Sequence, residues 1–303
     1  MKAKQKSTRT FGVEIEFTSS VLTRAEIARK LQDVGINVLA ENYNHNTRAN
    51  WKVITDSSCG YEVVSPVLEG QSGLNETRLV LDTMSEMEGV AVNRECGIHV
   101  HVHLAGYTPH NAANLMKTYM KYEGEIDMTL PNSRRATVGR GNRYAAGLVQ
   151  AWSNNWGNND DYATRYQKCF AAYTQVQSQW KAGDLTDSDA MYKLYRISGT
   201  RYTTLNLECF SRYGTVEFRQ HGGSLNADKV CTWIVFCSNL VDRCKKIKFV
   251  QMVKQENPMH RFANIFGEGQ SRPVLKYMES RAIGFVYNQV QGAYAHATAM
   301  RRV

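Results

Sequence analysis

The strict alternation in Gly97-Ile-His-Val-His-Val-His-Leu104 leaves that segment little choice of structure. Ile98, Val100, Val102 and Leu104 recur at every second residue, the period of a strand with one buried face, whereas a helix would scatter them around its circumference. The other face then carries three titratable rings, His99, His101 and His103. The same period governs Phe11 to Phe17, where Glu14 and Glu16 oppose Phe11, Val13, Ile15 and Phe17. It returns in Gly214 to His221, where Glu217, Arg219 and His221 oppose Val216 and Phe218. Two shorter strands are predicted at 51–55 and 61–64, joined by the turn Asp56-Ser-Ser-Cys-Gly60, which Asp56 closes through its side chain, and ended by Pro66. A segment over Arg201 to Phe210 is expected to pair with the Gly214 strand as a hairpin across Ser211 to Gly214.

Between these strands the period changes to that of a helix. Thr23 with Glu26 three residues later is a capping box ahead of Ile27, Ala28, Leu31 and Val34, a helix ending near Gly35. A second helix is expected over 73–87. Thr108 followed by Pro109 opens a helical pattern that runs to about residue 200, and Asn226 caps a helix through Trp233, Cys237 and Val241. Strands separated by helices in this order predict an α+β fold, one domain over 8–285 with a helical insertion over about 108–200, and a loosely held tail over 286–303.

The 303 residues are 43% hydrophobic and 21% charged, a globular composition, and the chain has neither an apolar run of membrane-spanning length nor an apolar core behind its basic first residues. No signal peptide is therefore expected, and the location expected is the cytoplasm, the host's cytoplasm if the source is viral. Lys and Arg exceed Asp and Glu by nine, which favours anionic partners of some kind. The seven cysteines are odd in number, lack a CxxC pair and mostly sit within apolar patterns, so they read as reduced thiols, with Cys96 packing beside a motif and not acting as a nucleophile.

Three predicted strands thus place titratable groups at i and i+2: Glu14 with Glu16, His99 with His101, Glu217 with Arg219. Such neighbours share a face roughly 6.5–7 Å apart. An isolated Glu-x-Glu is usually a solvated edge and an isolated Glu/Arg pair a weak surface ion pair; three together describe a cleft. Carboxylates gathered in a cleft rise in pKa unless a counter-charge holds them ionised, and oxygen ligands with an occasional imidazole suit Mg²⁺ or Mn²⁺. Structural zinc would require clustered Cys and His, which the linear sequence does not show. Arg219 is shaped for a bidentate contact to phosphate or carboxylate.

Taken in order, Gly12-Val-Glu-Ile-Glu-Phe17, Asp56 with Glu62-Val-Val-Ser-Pro66, Cys96-Gly-Ile-His-Val-His-Val102, and Arg201-Tyr-Thr-Thr-Leu-Asn-Leu207 with Thr215-Val-Glu-Phe-Arg-Gln-His221 resemble the amidoligase family, carboxylate-amine ligases of glutamine synthetase-like fold related to the glutamate-cysteine ligases. The resemblance spans about residues 10–240. It implies a curved, mainly antiparallel sheet lining the active cleft, helices on its outer face, and ATP held with Mg²⁺ (or Mn²⁺). By motif it implies Glu14, Glu16, Glu62 and Glu217 as metal ligands and one of His99 and His101 as a metal ligand or phosphate contact. It further implies Arg219 as the γ-phosphate contact, with Glu217 and Arg219 serving catalysis. His103 falls beyond the motif and reads as structural, and Gly97 admits either a close approach of ATP or a plain strand entry. Arg134, Arg135, Arg140 and Arg143 are candidates for phosphates or an acidic acceptor, with Arg140 and Arg143 carried forward as nucleotide-binding. The implied partners are ATP, a carboxylate substrate (peptide, protein side chain or amino acid) and an amine; neither membrane nor nucleic acid is expected.

Three rivals make different demands. A hydrolase or oxygenase would hold one Zn²⁺ or Fe²⁺ on His99, His101 and His221 with a Glu. A basic nucleic-acid binder would show steep salt dependence and leaves the acidic pair Glu14/Glu16 without a role. An inactive ligase-fold protein would bind nucleotide without turnover.

Overall fold

A computed structural model describes residues 3–135, 144–153, 160–252, 258–266, 270 and 272–285. Its strands are β1 (Thr10–Ser19), β2 (Val38–Ala40), β3 (Trp51–Asp56), β4 (Gly60–Val64), β5 (Leu68–Glu69), β6 (Val90–Ala91), β7 (Gly97–His103), β8 (Leu205–Asn206) and β9 (Thr215–Gly222). The helices are α1 (Arg24–Asp33), α2 (Gly70–Ser85), α3 (Pro109–Asp127), α4 (Leu148–Ser153), α5 (Tyr162–Ala182), α6 (Asp187–Ser198), α7 (Cys209–Tyr213), α8 (Ala227–Lys246) and α9 (Pro258–Phe266), with a further helical stretch over 272–285.

The strands form one open sheet in the order β2-β3-β4-β1-β7-β9-β8, with β5 and β6 also pairing β1. Every pairing is antiparallel except β2 with β3. The architecture is mixed α+β, as the period changes in the sequence predict. β1 lies at the centre because its apolar side chains, Phe11, Val13, Ile15 and Phe17, are buried to 2% exposure or less on the face that helices cover. Ile98, Val100 and Val102 of β7 and Val216 and Phe218 of β9 continue that face at zero exposure. Leu74, Val80 and Leu81 of α2 and Val230, Ile234 and Cys237 of α8 join them in one core. α3 packs against α8 and against β9, where Tyr119 and Phe218 meet edge to face.

The expected capping box is present: the Thr23 hydroxyl accepts from Glu26 N–H, and the Glu26 carboxylate accepts from Thr23 N–H at 2.8 Å. Thr108 forms the same reciprocal box with Asn111 at α3, and the Asn226 side chain caps α8 by accepting from the Lys229 N–H. Asp56 closes its turn by accepting from the backbone of Ser58 (2.7 Å) and Cys59 (3.0 Å).

Two expectations need correction. β8 is only two residues long, and the segment after it winds into α7 instead of completing a hairpin strand. The second concerns β9, whose register against β7 shifts between Ile98 and Val100. One extra residue enters β9 there, so His221 turns to the helix-covered face while Glu217 stays on the other.

Candidate active site

Residues directly opposite on antiparallel strands project to the same face. Glu14 of β1 stands opposite His99 of β7, Glu16 opposite Glu62 of β4, His101 opposite Glu217 of β9, and Asn206 of β8 opposite Glu217. Four strands of the sequence thereby deliver the predicted carboxylates and rings to one patch on the face away from the helices, and β8 adds Asn206. The patch floors a cleft of about 830 Å³ whose walls include Tyr43 to Thr47, Lys52, Arg134, Tyr144, Arg201, Tyr202 and Tyr213.

His99 sits at the centre, 6% exposed. Its Nδ1 is 3.0 Å from Glu14 Oε2 and 3.7 Å from Glu217 Oε1, and its Nε2 is 3.5 Å from Glu16 Oε1. His101 Nε2 lies 3.3 Å from Glu14 Oε1 and 3.9 Å from Glu217 Oε1, yet makes no hydrogen bond to a described residue. Arg219 pairs with Glu217 Oε1 and donates through Nε to the Tyr144 carbonyl at 3.2 Å. Glu16 Oε2 accepts from the Gly97 N–H at 2.5 Å. A β-carbon at Gly97 would meet His99 Nε2, Arg134 Nη1 and Glu16 Oε2 at 3.1–3.3 Å, so a side chain there would crowd the groups of the site.

The electrostatics follow from burial against charge. Burial raises the Glu14 carboxyl, but His101 and His99 outweigh it and hold the group well below the usual range. Burial also raises Glu217, and Arg219 with His101 reverses the sign. At Glu62 burial prevails together with the charges of Glu14 and Glu16, and the carboxyl is pushed well above its ordinary value. His101 is the converse, for burial lowers it while Glu14 and a Cys209 contact lift it well above the usual imidazole range.

Four carboxylates gathered around His99 and His101, with this donor chemistry, fit a divalent cation. One donor atom from each of Glu14, His99 and Glu217 lies within a 4.8 Å group, and so does one from each of Glu16, Glu62 and His99. Oxygen-rich sets of this kind suit hard ions.

The sequence profile of the family described as "putative amidoligase enzyme" matches residues 7–241, from just before β1 into α8. The chain belongs to that family. It is thereby placed among enzymes named for ligation at an amide. No curated protein matches the chain.

The cleft gathers Glu14, Glu16, Glu217, His99, His101 and Arg219, which the strand periods place on one face, and Glu62, which the family resemblance supplied. Arg140 and Arg143 lie outside the described residues. Arg134, weighted below them in the sequence, is 3% exposed, lines the cleft and donates to the carbonyls of Glu95 (2.7 Å) and Cys96, while Arg135 points away to the Leu130 carbonyl. His103 lies at the cleft wall against Gly214. His221 leaves the set altogether: it packs on Trp233 with ring centroids 5.3 Å apart, bonds the Gly222 carbonyl, and is held near pKa 3 by burial. The three-histidine transition-metal centre therefore does not assemble.

Sequence reasoning passed over Lys52 and Cys209. Lys52, 4% exposed, ties the cleft-lining loop down by donating to the carbonyls of Asn44 and Asn46 at 2.9 Å. Its available signal was alternation with Trp51 and Val53 of the core, which puts it on the face of Ile54 and Glu62. Cys209 stands beside His101 and 3.4 Å from Glu217 Oε2, so a Cys and a His do cluster here, across 108 residues of sequence. No period in the sequence marks it, because the turn of α7 brings it to the site. Among the described residues no helix is long and apolar enough to cross a membrane.

Proposed function

We propose that the chain is an ATP- and Mg²⁺-dependent carboxylate-amine ligase with a glutamine synthetase-like active face, forming an amide through an acyl phosphate. The observation that carries the reading is the convergence of Glu14, Glu16, Glu62 and Glu217 with His99, His101 and Arg219 on one sheet face inside one cleft.

In this reading Glu14, Glu16, Glu62, Glu217 and His99 or His101 hold the divalent ions. The chemistry those ions supply when bound is neutralisation of phosphate charge. Arg219, anchored by Tyr144 and Glu217, presents its guanidinium to the γ-phosphoryl oxygens. A substrate carboxylate oxygen attacks the γ-phosphorus as the bond to ADP breaks; an amine then attacks the acyl carbon and inorganic phosphate departs. No covalent attachment to the protein is involved. Arg134, Arg201 and Lys52 make the cleft wall basic, which suits an anionic acceptor such as a peptide, protein side chain or amino acid carboxylate. A cytoplasmic setting, rich in ATP and Mg²⁺, belongs to the same reading.

Calorimetric binding of a non-hydrolysable ATP analogue, with and without Mg²⁺, tests it. Binding that requires Mg²⁺ and is lost in Glu14→Ala is the expected result. A wild-type protein that ignores the analogue would overturn the reading.

A further inference from the structure

We infer that His101, Cys209 and Glu217 form a softer metal site within the cleft, one that takes a divalent transition cation of the Zn²⁺ class. A ring nitrogen of His101, the Cys209 sulfur and a Glu217 oxygen lie within 4.8 Å of one another. Ligand separations around tetrahedral zinc, with Zn–S of ~2.3 Å and Zn–N and Zn–O of ~2.0–2.2 Å, are about 3.3–3.8 Å, so small side-chain rotations close the set.

The surroundings are those of a built site. Asn206 Nδ2 donates to Glu217 Oε2 at 2.8 Å and reaches the Cys209 sulfur at 3.4 Å, fixing both groups relative to one another. The Thr215 hydroxyl is 3.3 Å from His101 Nδ1, the outer hydrogen bond that orients a metal-binding imidazole. Nε2 of the same ring lies 3.3 Å from Glu14 Oε1 and 3.9 Å from Glu217 Oε1, so it already faces carboxylate oxygens across the cleft. Cys209 is partly exposed into the cleft and so within reach of a diffusing ion. Three protein ligands leave a fourth position open.

The thiol sets this group apart from the two carboxylate-imidazole sets, because sulfur selects soft cations that Mg²⁺ chemistry does not match. Glu217 also belongs to the Glu14/His99/Glu217 set, so an ion on Cys209 draws on a ligand which the nucleotide-linked ions need. Zn²⁺ should therefore oppose binding of the Mg²⁺-nucleotide. That competition rests on the ligase reading; the site itself does not.

The experiment is a Co²⁺ titration of the full chain under a phosphine reductant, without nucleotide, followed by near-ultraviolet thiolate-to-cobalt charge-transfer absorption and by displacement with Zn²⁺. One equivalent of Co²⁺ should develop the band, Zn²⁺ should remove it, and Cys209→Ser should lack it. Thr215→Val, which keeps every ligand, should weaken Co²⁺ binding about tenfold through the loosened ring. A wild type without the band, or a band surviving in Cys209→Ser, would overturn the site. With the ATP analogue present, the Zn²⁺ concentration that halves binding should rise at least tenfold in Cys209→Ser; equal sensitivity to Zn²⁺ in the two proteins would overturn the competition. Failure of the analogue to bind at all would sink the ligase reading and leave the cobalt result standing.

Discussion

At the scale of the residue, the site is a charge problem solved unequally. Glu14 and Glu217 have cationic neighbours, whereas Glu62 is raised by burial and by the carboxylates of Glu14 and Glu16. Glu62→Gln removes a charge the protein resists carrying, so the metal-free variant should melt no lower than wild type and up to about 3 °C higher, while the Mg²⁺-induced rise in Tm shrinks. A thermal shift series with and without Mg²⁺ measures both; a large fall in metal-free Tm would place Glu62 in a structural role instead. Arg219 contacts only the third phosphate in the proposed reaction. Arg219→Ala should weaken the ATP analogue about 10- to 100-fold and leave ADP affinity within about threefold, and Arg219→Lys should restore little of the loss because an ammonium cannot reproduce the fork. Equal losses for ATP and ADP by calorimetry would remove Arg219 from the γ-position. Glu14, Glu217 and Arg219 were legible in the sequence because each strand period is two and each charge alternates with apolar neighbours, whereas Glu62 was reached only through the family resemblance of its motif. Cys209 was not legible, since its approach to His101 and Glu217 arises from the turn of α7, which no period announces.

At the scale of the element, the long strands and capped helices could be read directly, and the short pieces could not. β1, β7, α1, α3 and α8 carry enough periods, or a strong enough cap, to specify themselves. β5, β6 and β8 have two residues each and exist only because β1 or β9 offers a free edge. The shift in β9 is of the same kind: Gln220 is taken by Tyr119 and Asp127, His221 by Trp233, and those partners lie on α3 and α8. Tertiary partners thus decide where the alternation breaks. The entry to β7 offers a test at this scale. Gly97→Ala puts a methyl against His99, Arg134 and Glu16 at 3.1–3.3 Å, on the site side of the sheet. The cost to folding should be about 1–2 kcal/mol, with Mg²⁺-dependent analogue binding reduced at least tenfold. Chemical denaturation and calorimetry on one sample separate the two. Intact binding would mean that Gly97 merely starts a strand.

At the scale of the whole molecule, the helices between β7 and β8 are joined to the sheet by a buried polar seam along α3. Tyr119 donates to Gln220 of β9 at 2.7 Å, Gln220 donates to Asp127, and Glu123 accepts from Thr204 at 2.5 Å and from the Leu148 backbone at 3.1 Å. Glu123 is 1% exposed, and burial pushes its carboxyl up to about 8. Its unfolded value lies near 4.3, so between these limits the folded state binds the extra proton and stability must fall as pH rises. The contribution is complete below about pH 4 and lost by the time pH passes 8, a range worth on the order of a few kcal/mol at ~1.36 kcal/mol per unit. Glu123→Gln is the neutral isostere and keeps an acceptor for Thr204 and Leu148. Wild-type Tm should decline from pH 5.5 to 8.5 more steeply than that of the variant, the two converging on the acid side and the variant melting higher on the alkaline side. The measurement is paired melting curves across that range. Parallel curves would show that Glu123 is ionised in the folded protein and that the seam is held together by charge rather than by a proton.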